Sequence, residues 1–234
     1  MSYQRLDSVS IVETLRRLEH RIVERFPGSG LTAVCRELLA IGEQTRERSE
    51  RIARPHRFLR AAVYILIAAG IAGLVAVIFF VKLQIGPLEA FGVFQGIDAA
   101  MNIVVLVGAM LLFLVTLETR IKRRQTLNDL HVFRSIAHVI DMHQLTKDPV
   151  TIVGGGPPTA SSPKRSMNRF ELTRYLDYCS EMLSLTNKLA ALYAQNLPDA
   201  VVIDAVNDIE QLTTNLSGKI WQKITIIDAG RGGP

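Results

Sequence analysis

Residues 61 to 81 read AAVYILIAAGIAGLVAVIFFV, and no side chain in this run is charged. At 1.5 Å per residue such a helix spans about 30 Å, the thickness of a bilayer's hydrocarbon core. A second run, Ala99 to Leu117, carries only Asn102 and Thr116 as polar side chains. The two runs hold 12 and 11 Val, Ile, Leu or Phe residues, and at roughly −0.3 to −0.6 kcal/mol each near a span centre these outweigh a few glycines or one amide. The expected fold is therefore all-α: a two-span transmembrane hairpin carrying a helical bundle with coiled-coil-like helices. The spans are set at about 58–81 and 99–118 within a hairpin of 55–119, with an outer loop at 82–98.

Lys and Arg collect on the cytoplasmic side of short loops. Arg46, Arg48, Arg51, Arg54, Arg57 and Arg60 precede the first run, and Arg120, Lys122, Arg123 and Arg124 follow the second. Only Lys82 lies between, beside Glu89 and Asp98. Both termini are accordingly expected in the cytoplasm and the protein in the cell's inner (plasma) membrane as a multi-pass chain. The first 25 residues are strongly charged, so a cleavable signal peptide is not expected. Asp98 is read as the cap of the second span, with Phe91 and Phe94 at the membrane interface.

The same flanks account for the net charge of +5 and the pI of about 9.4. Residues 54–60 and 118–124 each contribute +3, and the rest of the chain sums to −1. A nucleic-acid partner is not expected, because such a binder carries its excess charge on a folded face. The partners expected instead are the lipid bilayer, further copies of the chain in a homo-oligomer, and a cytoplasmic protein.

Outside the spans the pattern is helical. Residues 1–54 hold N-terminal helices: Val9, Val12, Leu15, Leu18, Ile22 and Val23 keep helical spacing, Asp7 or Ser8 can cap the start, and Phe26-Pro27-Gly28-Ser29-Gly30 breaks the run. A second helix follows from Leu31 with Val34, Leu38 and Ile41 on one face. Its polar end, Glu43 to Arg51, reads as a solvated stalk or a partner-covered face, and Pro55 marks a kink or restart. Residues 120–147 continue the second span as a cytoplasmic helix with Leu130, Phe133, Ala137 and Ile140 on one face. A flexible linker is expected at 148–167, rich in Gly, Pro and Ser, then a helical hairpin at 168–227 and a disordered tail at 228–234. In that hairpin Asn168 and Glu171 suit a capping box, Asn196 to Asp199 form the turn, and Ser217-Gly218 threatens the second helix.

Chemistry is sparse. His131, Arg134, Ser135, His138 and Asp141 share one sector of their helix and are read first as a packing or salt-bridge face, then as a pH- or ligand-sensing surface. A tethered enzyme using His131, His138 and Asp141 ranks behind both. His131 and His138 lie two turns apart, about 10 Å, too far to share an ion, so no metal site, catalytic residue or cofactor is assigned. Cys35 and Cys179 sit at apolar helical positions as core thiols. Gly154 to Gly156 lack the phosphate-loop pattern, and Ser161, Ser162 and Ser166 suit a linker. Ala68, Ala69, Ala72, Gly73 and Ala76 in the first span and Gly108 in the second allow close helix packing, while Asn102 and Thr116 are candidate pore-lining residues.

In layout, a two-span hairpin with long cytoplasmic helices, the chain is similar to the SLATT-type effectors proposed to perforate membranes in bacterial conflict systems. That resemblance concerns helix order and lends no residue a role. The functional expectation is a non-enzymatic integral membrane protein whose cytoplasmic helices mediate oligomerisation or partner binding, with a gated channel or pore-forming effector as the alternative.

Overall fold

A computed structural model describes residues 5–54, 57–83, 90–147, 149, 160 and 167–229, for some helix residues by backbone alone. Every long element is an α-helix, and no strand occurs among the described residues. In order they are α1 (Ser8–Arg25), α2 (Gly30–Ala53), α3 (Arg57–Leu83), α4 (Ala90–Leu145), α5 (Arg169–Asn196) and α6 (Ala200–Ala229). The chain forms two compact units, one of residues 1–53 and 125–234 and the other of residues 54–124. Helix α4 contributes to both.

Local chemistry explains where the helices of the first unit begin and end. Asp7 caps α1 by accepting hydrogen bonds from the N–H groups of Val9 and Ser10, at 3.2 Å each. Gly28 then takes a φ of +72°, which lets the chain turn between α1 and α2 with no Cβ penalty. At α5 the capping box is complete: the Asn168 side chain accepts from Glu171 N–H at 2.9 Å, and the Glu171 carboxylate accepts from Asn168 N–H at 2.8 Å. Asp199 caps α6 through the N–H of Val201 at 3.1 Å.

Helix α5 is the centre of this unit and packs against α6, α2 and α1. Leu172, Leu176, Cys179, Met182, Leu183, Leu189 and Tyr193 are buried, as are Tyr178, Leu185, Ala190 and Leu192 on its other sides. A helix apolar on so many sides needs neighbours all round. Helix α6 instead buries one stripe, Val202, Val206, Ile209, Thr213, Leu216, Ile220, Ile224 and Ile227. Leu130, Phe133, Ala137 and Ile140 of α4 are buried as their spacing predicts, and the Phe133 ring meets Tyr193 edge-on at 6.3 Å.

Five local expectations change. The polar end of α2 is no bare stalk: Thr45, Ser49 and Ile52 are buried, and only its remaining faces are exposed. Small hydroxyl residues bury because they bond their own helix, Thr45 Oγ1 donating to Ile41 O at 2.7 Å. Helix α4 begins at Ala90, so residues 90–98 are helix rather than loop and Asp98 lies inside a helix instead of capping one. No proline interrupts Ala90 to Asp98 to force a break there. Helix α6 runs through Ser217-Gly218 unbroken and takes in Asp228 and Ala229. Pro55 and most of the 148–167 segment lie outside the described residues, as do residues 230–234.

In the second unit, α4 supplies the one helix, among the described residues, that is long and apolar enough to cross a membrane. Helix α3 is 27 residues long, but its described apolar stretch is the shorter Ala61–Gly73. The side chains of Leu74, Val77, Ile78 and Phe80 fall outside the described set.

Candidate functional site

The surface of the second unit is its most unusual chemistry. Tyr64, Ile65, Ile71, Val75 and Phe79 of α3 are exposed, as are Val105, Leu106, Met110, Leu112 and Phe113 of α4. None of the apolar window on α4 is buried. Soluble proteins seldom leave a contiguous apolar area of this kind in water.

Among the described residues, α4 approaches α3 at Gly70 and the segment just before α3 at Arg54. Lys122 Nζ donates to the Arg54 carbonyl at 2.8 Å and pairs with Glu118 at 2.9 Å. Further along, a Cβ on Gly70 would sit 3.3 Å from Val107 Cγ1. As the contact moves from 54 to 70 on one side it moves from 122 back to 107 on the other, as antiparallel neighbours require. Lys122, read from the sequence as one of the basic flank, is thus 8% exposed and bonded inside the unit. Arg54, Arg120 and Arg124 are exposed and Arg123 is half-buried, whereas the side chains of Arg57 and Arg60 lie outside the described set.

The small residues divide. Ala68, Ala69, Ala72, Gly73 and Ala76 are exposed and Gly108 is half-buried, and a Cβ on Gly73 or Gly108 would meet nothing within 4 Å. Gly70, which the sequence did not single out, is the glycine that approaches the partner helix. Asn102 and Thr116 are both exposed on α4. Thr116 Oγ1 bonds the carbonyls of Leu112 and Phe113 at 2.9 and 3.0 Å, and Asn102 makes no side-chain hydrogen bond among the described residues.

In the first unit the stripe on α4 is parted between two tasks. Arg134 forms an exposed ion pair with Asp208 of α6 at 3.3 Å. Asp141 accepts from Gln144 Nε2 at 2.6 Å, and buried Gln144 in turn receives Lys223 Nζ of α6 on both its carbonyls, at 2.7 and 2.6 Å. His131 and His138 are exposed, and Ser135 Oγ donates to the His131 carbonyl at 3.0 Å. No group of His, Cys, Asp and Glu able to hold a metal occurs among the described residues.

Sequence reasoning passed over Asp129. One carboxylate oxygen accepts from Arg48 of α2 at 2.5 Å and the other from the Tyr193 hydroxyl of α5 at 2.9 Å, joining three helices. Burial, then Asp129, push the Tyr193 hydroxyl well above its ordinary range. Burial likewise raises the Cys35 and Cys179 thiols to about 12, so neither is a nucleophile at neutral pH. A shallow groove of about 480 Å³ lies beside α5, lined by Arg174, Asp177, Glu181, Lys188, Trp221 and Ile224 among others. Its charges are already engaged: Arg174 pairs with Asp177, Glu181 with Arg21, and Lys188 donates to Ser184.

The chain matches no family model, and neither a curated protein nor a solved structure matches it significantly.

Proposed function

We propose that this is a non-enzymatic integral membrane protein, with α3 and α4 crossing the bilayer as a two-span hairpin. Both termini lie on the cytoplasmic side of an inner (plasma) membrane, and the bundle of α1, α2, the second part of α4, α5 and α6 mediates oligomerisation or binding of a protein partner. The observation that carries the reading is the exposed apolar surface of α3 and α4, which none of the described chain covers and which hydrocarbon would. The antiparallel approach through Lys122–Arg54 and Gly70–Val107 supports it, since a hairpin returns the chain to the face it left. So does the charge bias, with basic flanks at one end of both helices.

Alkaline extraction of membranes and reporter fusions test this directly. The chain should resist extraction, and a reporter after Pro234 should be active in the cytoplasm alone. A chain recovered in the soluble fraction, or a reporter active outside, refutes it.

A pore is the second reading, favoured by Asn102 and Thr116 on one exposed side of α4. The protein-only mass of the full chain in nanodiscs separates the two. Four or more copies with ion flux sensitive to Asn102 favour the pore, and one or two copies favour the interaction module.

A further inference from the structure

We infer that two copies of this chain pair in the membrane along one side of α4, with Asn102 of each copy hydrogen-bonded to Asn102 of the other. The inference rests on the membrane reading above and names the partner of that helix.

Three observations direct it. Asn102 is exposed and its amide has no partner among the described residues. At 100° per residue Val107, which faces Gly70 of α3, is turned about 140° away from Asn102. Helix α3 is therefore on the wrong side to satisfy it. On the Asn102 side lie Val105, Ala109, Leu112 and Thr116, all exposed. Ala109 and Thr116 repeat at sevens from Asn102, the spacing of a seam between two helices, and Thr116 already bonds its own helix, so the amide is the group left to be met.

Lipid chains offer no hydrogen bond, and a lone amide in hydrocarbon is costly. A primary amide carries donor and acceptor together and so complements itself. Copies inserted with one topology hold their α4 helices parallel, and a two-fold axis along the membrane normal then sets each residue against its own equivalent. A second copy is the occupant that fits both conditions. Asn102 lies one turn, about 6 Å, inboard of Asp98, hence in the outer part of the hydrocarbon. Asp98 is exposed within about 40° of the same side, and like carboxylates there oppose the pair.

The test is energy transfer between donor- and acceptor-labelled full chains in phosphatidylcholine vesicles as the lipid-to-protein ratio is varied. Asn102→Leu should weaken association about 3- to 10-fold, the scale of an interhelical amide contact. Asn102→Gln should hold it within about 2-fold of the parent, and Asp98→Asn should tighten it. Ala109→Cys should give a disulfide-linked pair under mild oxidant, and Val107→Cys should not. Alkaline extraction run beside it keeps the two ideas apart. A chain that extracts refutes the membrane reading and this pairing with it. A chain that stays inserted, yet associates as tightly after Asn102→Leu as before and yields no cross-link at 109, overturns the pairing alone. A mass of four or more copies in nanodiscs overturns it also.

Discussion

Helix α5 and the first half of α4 are both rich in Leu, Val, Ile and Ala, and they satisfy that composition in opposite ways. Leu176, Met182, Leu183 and Leu189 of α5 are fully enclosed by neighbouring helices, whereas Leu106 and Leu112 of α4 are each 71% exposed. In the first unit apolar burial itself drives assembly. In a bilayer that driving force between helices vanishes, and fit together with polar contacts must replace it. On the membrane reading proposed above, Lys122–Arg54 and Gly70–Val107 matter most in the second unit, while similar contacts in the first are secondary to the core.

The sharpest way to break the comparison is to make one substitution in both places. Leu183→Ala should cost about 2–5 kcal/mol in denaturant unfolding of the detergent-solubilised chain, because it opens a cavity among enclosed neighbours. Leu112→Ala should change that transition by less than about 0.5 kcal/mol in detergent dilute enough to hold single copies. Equal effects under those conditions would mean that another part of the same chain covers the α4 face.

A smaller loss should follow at Asp129, where the bundle depends on polar contacts as the hairpin does. Asp129→Ala takes the carboxylate acceptor from the buried Tyr193 hydroxyl and frees Arg48, so about 1–3 kcal/mol should be lost. Tyr193→Phe should cost less, since it removes donor and need together. A loss confined to the Phe variant would contradict this account.

Alkaline pH probes the same burial. Cys35 and Cys179 titrate near 12 in the fold against an ordinary 9.0, so the folded chain holds protons that the unfolded chain releases. That contribution is complete below about pH 9 and is lost as pH rises toward 12, on the order of 1 kcal/mol per thiol by pH 10. Unfolding midpoints measured from pH 8 to 10.5 should fall accordingly. At pH 8, iodoacetamide should label neither thiol before unfolding.

The helices of the bundle were legible because caps and periodicity are local. Asp7, the Asn168–Glu171 box and the Leu130–Ile140 face could be read from a dozen residues at a time, and Asn168→Ala should cost about 1 kcal/mol in the same unfolding assay, as loss of a cap does. The partners of Asp129 and Lys122 were not legible, because each bond joins residues more than sixty positions apart. A lysine in a basic cluster looks like a flank whether it faces lipid headgroups or a carbonyl. Thr45 and Ser49 were missed for a related reason: their hydroxyls bond their own helix, so residues counted as polar can face a core. The Asn102 amide was visible, but the side of α4 that it occupies relative to α3 became clear only with Val107 against Gly70.

The smallest effects come from adding one methyl group in each unit, and they should differ in sign. Gly218 sits mid-helix in α6, exposed, with nothing within 4 Å of a new Cβ. Gly218→Ala should stabilise the bundle by about 0.5–1 kcal/mol, since alanine loses less backbone entropy on folding and no neighbour must move. At Gly70 the same gain in helix propensity meets Val107 Cγ1 at 3.3 Å, so α3 and α4 must separate by a few tenths of an ångström or Val107 must turn. On the proposed membrane reading, packing is the main force left between these helices, so Gly70→Ala should leave the bundle transition unchanged and loosen the hairpin. Spin labels on α3 and α4 read this as a longer or broader distance distribution. A stabilised hairpin would place the contact elsewhere along the two helices, and a destabilised bundle at Gly218→Ala would mean that this exposed face is covered in the assembled protein.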